Sequence, residues 1–160
     1  EYYEPQLEFF AEWLKQLFGE SEGKEGKGIY PDSLRFSSDL HSMGQFLQQG
    51  NQLFFETILH VEKPPRDLKV PAAAGELLAG KSLNRINQAA MEGVAAAHHA
   101  VGIPMVKIGI PELNAFYLGQ LIYFFETSCA ITSYLMGINP FDQPGVEQYK
   151  AEMKKKLLEL

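Results

Sequence analysis

Apolar residues at Leu7, Phe9, Phe10, Trp13, Leu14, Leu17 and Phe18 recur at helical spacing, with Glu8, Glu12 and Lys15 on the other side. This predicts a helix from Glu4 to Phe18, ended by Gly19, so that the chain is expected to open inside a helix. The stretch from Gly19 to Gly28 has no periodicity and repeated glycines, and reads as a loop. Ile29-Tyr30 is long enough for a short strand before Pro31. Ser37-Ser38-Asp39 carries cap chemistry, and Leu40, Met43, Phe46 and Leu47 form a helical stripe that closes at Gly50. Leu53 to Val61 is a compact run with aromatic and β-branched residues, the pattern of a buried strand. Pro64-Pro65 ends it, and residues 62–80 read as a connection with one short helical turn.

Ser82 is placed to cap a helix running to Val101, with Gly102 as its stop and Pro104 beyond. Small residues between Ala89 and Ala100 suit packing against a sheet. Met105 to Ile110 is a second strand, and Pro111-Glu112 is expected to open a long helix through Leu135, stopped by Gly137. That helix is apolar almost all round, but Asn114, Gln120 and Glu126 interrupt it, which favours a buried helix over a membrane span. Pro144 then opens a last, lysine-rich amphipathic helix. Strands alternating with helices predict an α/β fold with a parallel sheet covered on both faces.

The 160 residues suffice for one domain with a real core, and 46% apolar with 21% charged residues is an ordinary globular balance. A net charge of −6 without a basic patch points away from nucleic acid. The lone Cys129 excludes an internal disulfide framework and fits a reducing, cytoplasmic setting. The opening residues carry no signal-peptide pattern. A chain that begins without Met and in mid-helix is expected to be a piece of something larger.

Candidate chemistry is sparse. Gly19-Glu20-Ser21-Glu22-Gly23-Lys24 resembles a nucleotide phosphate loop but is one residue short, and Glu25 stands where Ser or Thr must hold magnesium. Glu20 can serve as a general base if it enters a partly desolvated cleft, or simply be a solvated loop glutamate. His41, in the first turn of its expected helix, is either a neutral proton relay or a surface histidine beside a cap. The adjacent His98 and His99 point about 100° apart on a helix and cannot grip one metal, so no metal site is expected. His60 reads as a satisfied buried histidine, and Cys129 as core packing. Gln143 falls at the N-terminal mouth of the last helix, where free N–H groups welcome an anion, and Lys150 lies about two turns further along. Taken alone, the loop from Asn139 to Gly145 is also a good cap sequence.

Three stretches together carry a resemblance. Gly19-Glu20-Ser21-Glu22-Gly23-Lys24, Ser38-Asp39-Leu40-His41-Ser42-Met43-Gly44-Gln45 and Phe141-Asp142-Gln143-Pro144-Gly145-Val146-Glu147-Gln148-Tyr149-Lys150 resemble, in order and over essentially the whole chain, bacterial glucose-6-phosphate isomerases. The last motif is the most specific. The resemblance implies a three-layer α/β/α sandwich of sugar-isomerase (SIS) type, helix-rich and incomplete at its N-terminal side. Residues 1–160 would be the C-terminal part of the second such domain plus a C-terminal helix.

It further implies an aldose–ketose isomerase of glycolysis and gluconeogenesis that interconverts glucose 6-phosphate and fructose 6-phosphate. Glu20 would move a proton between C1 and C2 through a cis-enediol, with no metal or organic cofactor. His41, reaching in from the neighbouring subunit of a homodimer, and Lys150 would open the sugar ring. Gln16 and Gln143 would hold the substrate. The Ser- and Thr-rich loops that grip the phosphate in this family have no counterpart here. Arg35, Arg66 and Arg85 do not match the family's enediolate-stabilising arginine, so the isolated chain is expected to be inactive. A second reading is a non-catalytic sugar-phosphate-binding or dimerisation module on the same scaffold. Glu20 separates the two readings, because a binding module needs no carboxylate at the reacting carbons.

Overall fold

The computed structural model describes all 160 residues and contains two parallel strands among five α-helices. The chain divides into two compact units, one of residues 1–11 with 33–119 and one of residues 12–32 with 120–160.

The first unit is a parallel βαβ arrangement. Strand β1 (Glu56–Lys63) pairs with β2 (Met105–Glu112) in a register that sets Glu56 against Met105 and Lys63 against Glu112. Tyr2 forms parallel bridges to Leu59 on one side and Arg35 on the other, so short extended segments continue the sheet beyond β1. The chain's first residues are therefore extended and not helical: Leu59 N–H donates to the Glu1 carbonyl, and Phe36 N–H to that of Tyr2. The strand expected at Ile29-Tyr30 does not form, and its place in the sheet is taken a few residues later at Arg35. β1 begins and ends later than expected, because residues 53–55 precede the pairing with Met105.

Helix α3 (Leu83–Ala100) makes the crossover. Ser82 caps it by accepting from the Arg85 N–H at 3.1 Å, and Gly102, at φ 89°, turns the chain out of it. The inward stripe is Met91, Val94, Ala95 and His98, at 3–4-residue spacing, whereas most of the alanines expected there face solvent. Met91 joins Tyr3, Phe36, Leu47 and Ile58 in one buried cluster.

Helix α2 is short (Met43–Gln49) and starts after His41, not before it. The reason lies in Ser38 and Asp39, which look backward. Asp39 accepts from the Arg35 N–H at 2.7 Å and the Ser38 hydroxyl donates to the Arg35 carbonyl, so neither caps a forward helix. Residues 64–81 hold one 3₁₀ turn (Ala72–Ala74), as the sequence suggests.

The second unit is built on helix α1 (Glu8–Glu22) from Glu12 onward and helix α4 (Ala115–Leu135) from Gln120 onward. α1 runs through Gly19 instead of stopping there. Glu22, almost fully buried, accepts a hydrogen bond from the Thr132 hydroxyl and holds the extra turn in place. Pro111 and Glu112 belong to β2, and Asn114 is the residue that caps α4, accepting from the Tyr117 N–H at 3.0 Å. The buried stripe of α4 is Leu121, Phe125, Cys129 and Ser133. Phe125 meets Phe18 edge to face, and the Cys129 thiol points at the Leu17 carbonyl. Several other apolar residues of α4, among them Tyr123, Phe124 and Ile131, are exposed, so in this chain it is not the wholly buried helix that the sequence suggests. No helix is long and apolar enough to cross a membrane.

Cys129 is 2% exposed, and burial pushes its thiol above the ordinary range. Thiol reagents are expected to label it only on global unfolding. A labelling time course in native buffer and in denaturant checks this, and rapid native labelling would contradict the packing of α1 on α4.

Candidate active site

Trp13, Gln16, Leu17 and Glu20 fall on one face of α1, because residues three and four apart are neighbours on a helix. Pro140, Phe141 and Gln143 face them from the loop that follows α4. Together with Ser21 these residues line an open cleft of about 350 Å³. That volume suits a small ligand. A second cavity, beside Tyr3, Asn87 and Met91, is about 10 Å³ and far too small for one.

Glu20 is in the last turn of α1 rather than in a loop, with its side chain exposed on the cleft's lip. Of the two settings open to it from the sequence, a partly desolvated cleft or a solvated position, this chain provides the solvated one. Gln143 is the residue before helix α5 (Pro144–Leu158), with Pro144 in the first turn as the sequence indicates. Its side chain makes no cap hydrogen bond and lines the cleft instead. Lys150 is on the exposed surface of α5, its ammonium 2.9 Å from the Glu147 carboxylate, and does not line the cleft. An exposed pair of this kind is worth about 0–1 kcal/mol, so it holds the lysine only weakly. His41 belongs to the other unit, exposed in the turn before α2. The structure thus gathers Gln16, Glu20 and Gln143 around one cleft, and within the same unit Lys150 is not among its lining residues.

The loop carrying Gln143 is fixed by a lysine to which the sequence alone assigns no role. Lys24 Nζ donates to the Asn139 carbonyl at 2.6 Å and to Asp142 Oδ1 at 3.0 Å. The hydrogen bond and charge of Lys24 hold the Asp142 carboxyl below its usual range. Glu20, Glu22 and Lys24 share one hexapeptide, but only the fold shows that they face three different ways.

The first unit holds a second polar cluster that the sequence does not reveal. His98 is 3% exposed, and its Nδ1 lies 2.8 Å from Glu56 Oε1 and 3.9 Å from Glu1 Oε1. His60, expected to be the buried histidine, is only half-buried, and burial together with Lys107 lowers its pKa. Glu1, Glu56 and His98 bring their ligating atoms within 4.8 Å of one another, a donor set able to hold a divalent cation. The spacing of His98 and His99 argues against a metal, but the neighbours that matter to His98 come from residues remote in sequence. Burial, with the Glu56 carboxylate adding to it, raises the pKa of Glu1 above the ordinary carboxylate range.

A parallel βαβ unit in one part of the chain, and in the other a cleft with one carboxylate and two amides among its lining residues, describe an α/β protein with a candidate ligand site. Residues 67–159, more than half of the chain, match the family model for phosphoglucose isomerase. The chain is 54% identical to the glucose-6-phosphate isomerase of Caldanaerobacter subterraneus subsp. tengcongensis, over 94% of this chain and 35% of that protein. The corresponding protein of Heliobacterium modesticaldum is 53% identical over the same shares. Among solved structures, a hypothetical protein from Thermus thermophilus matches 98% of this chain and 40% of its own, at TM-score 0.88 and 26% identity. A glucose-6-phosphate isomerase from Chlamydia trachomatis shares the fold, at TM-score 0.78 and 22% identity over 98% of this chain and 33% of that one. The chain belongs to the phosphoglucose isomerase family, and spans about a third of the length of the curated relatives it matches.

Proposed function

We propose that this chain is the C-terminal part of a glucose-6-phosphate isomerase, the end of its second sugar-isomerase-type domain, and supplies that enzyme's base and part of its substrate grip. The observation that carries this reading is the convergence of Gln16, Glu20 and Gln143 on one cleft of about 350 Å³. Two amides offer both donors and acceptors to sugar hydroxyls. In this reading the carboxylate takes the proton from C2 of the open-chain aldose and returns it to C1, with a cis-enediol between. One carboxylate serves both transfers, and no metal or organic cofactor is required.

Lys150 and His41 act earlier, on the ring. Ring opening needs a proton delivered to the ring oxygen and one removed from the C1 hydroxyl, and an ammonium and an imidazole suit that exchange. His41 enters from a neighbouring subunit in this reading. The chain holds no serine- and threonine-rich phosphate loop, so the isolated polypeptide is expected to lack isomerase activity, because remote binding energy positions the reacting carbons. The same reading makes the working enzyme a cytoplasmic homodimer.

The test is substrate form. In the complete enzyme, His41→Ala and Lys150→Ala are expected to lose about tenfold more activity on the cyclic sugar phosphate than on an analogue held open. Equal losses on both would remove these residues from ring opening.

A further inference from the structure

The cleft's two walls come from segments far apart in the chain, α1 and the loop ahead of α5, and their separation decides whether a ligand can touch Glu20 and Gln143 at once. Lys24 spans them. Its side chain is only 8% exposed, unusual for a lysine, and its ammonium finds the Asn139 carbonyl and the Asp142 carboxylate, both in that loop. The loop is cross-braced in turn: Asn139 Nδ2 donates to Asp142 Oδ2 at 3.0 Å, and the Phe141 N–H donates to Asn139 Oδ1 at 3.1 Å. Asp142 immediately precedes Gln143. At its other end Lys24 is tied to the helix, its N–H donating to the Glu22 carbonyl at 2.8 Å, while Gly23 N–H reaches the Gly19 carbonyl at 3.2 Å. The lysine is buried although Asp142 is 54% exposed, and losing either acceptor would leave that ammonium short of a partner where little water reaches it, so the two contacts together brace the loop. Lys24 is not on the cleft wall, and its ammonium is committed to the loop, so it is not itself a ligand for the substrate.

We propose that Lys24 is a positioning residue for the isomerase site, fixing the Asn139–Gln143 loop against the end of α1 so that Gln143 meets the substrate bound at Glu20. This rests on the function proposed above and adds a residue to it. A displacement of about 1 Å at a positioned group can cost up to about a hundredfold in rate.

The experiment uses the complete enzyme, with Lys24→Met and Asp142→Asn each made in the native and the Gln143→Ala backgrounds. In the native background Lys24→Met is expected to lower kcat/KM between about tenfold and a hundredfold, mainly through KM, with Asp142→Asn a weaker change in the same direction. In the Gln143→Ala background both losses should shrink below about twofold, since Lys24 acts through Gln143. A purely structural lysine would cost the same in both backgrounds, and that result, or unchanged kinetics in Lys24→Met, overturns the proposal. Should Lys24→Met not fold, Asp142→Asn carries the same comparison. An unsubstituted enzyme that does not isomerise fructose 6-phosphate would instead overturn the functional reading on which the proposal rests.

Discussion

Replacing Glu20 by glutamine in the complete enzyme is expected to lower isomerisation by about 10²–10⁴-fold or more, the range assigned to a positioned acid–base group. The stability cost should be close to zero. Glu20 is exposed, and the last turn of α1 contains no basic residue to pair with a carboxylate there. A negative charge at a helix C-terminus opposes the macrodipole, so removing it stabilises the helix by about a few tenths of a kcal/mol. Activity and stability are thus predicted to move in different directions, the signature of a group kept for chemistry. A coupled assay beside a thermal melt checks both. Unchanged turnover would remove Glu20 as the base and leave the non-catalytic binding module as the better reading.

The largest stability effect is expected in the other unit. Ile58 is 1% exposed on β1 and packs in the cluster of Tyr3, Phe36, Leu47 and Met91. Ile58→Ala is expected to cost about 2–5 kcal/mol, the transfer term of the lost methyl groups plus the cavity left behind. The upper part of that range is favoured because the cluster joins elements that cannot collapse independently: a strand, the α3 crossover and the segment at Phe36. Denaturant midpoints of the two proteins measure it. A loss under about 1 kcal/mol would mean that the site relaxes around the gap and that the cluster is less tightly packed than its burial indicates.

The parts of the fold legible in the sequence are those set by local chemistry. Ser82, Gly102 and Pro144 mark helix ends through their own backbone and side-chain preferences, and the structure places all three as read. What the sequence hid was decided by partners remote along the chain. Gly19 does not stop α1, because Glu22 finds Thr132. Ser38 and Asp39 fail as caps because Arg35 engages them first. The candidate site shows the same division. Gln16 and Glu20 share a face by helical spacing alone, but their meeting with Gln143 depends on the loop held by Lys24. For His98 the neighbour in sequence, His99, is a poor guide, because its surroundings in space are Glu1 and Glu56.

The parallel pairing of β1 with β2 also governs the order in which the first unit assembles. Glu56 meets Met105 and Tyr2 meets Leu59, each contact closing a long stretch of chain before any ladder bond rewards it. α3 needs no such closure, since its hydrogen bonds and its Ser82 cap are local. The crossover helix is therefore expected to form ahead of the strand pairing and to present Met91 as a surface on which the two strands close. The search that brings its strands together is expected to set the folding rate of this unit, so that a substitution weakening the β1–β2 pairing slows refolding more than one weakening the Ser82 cap.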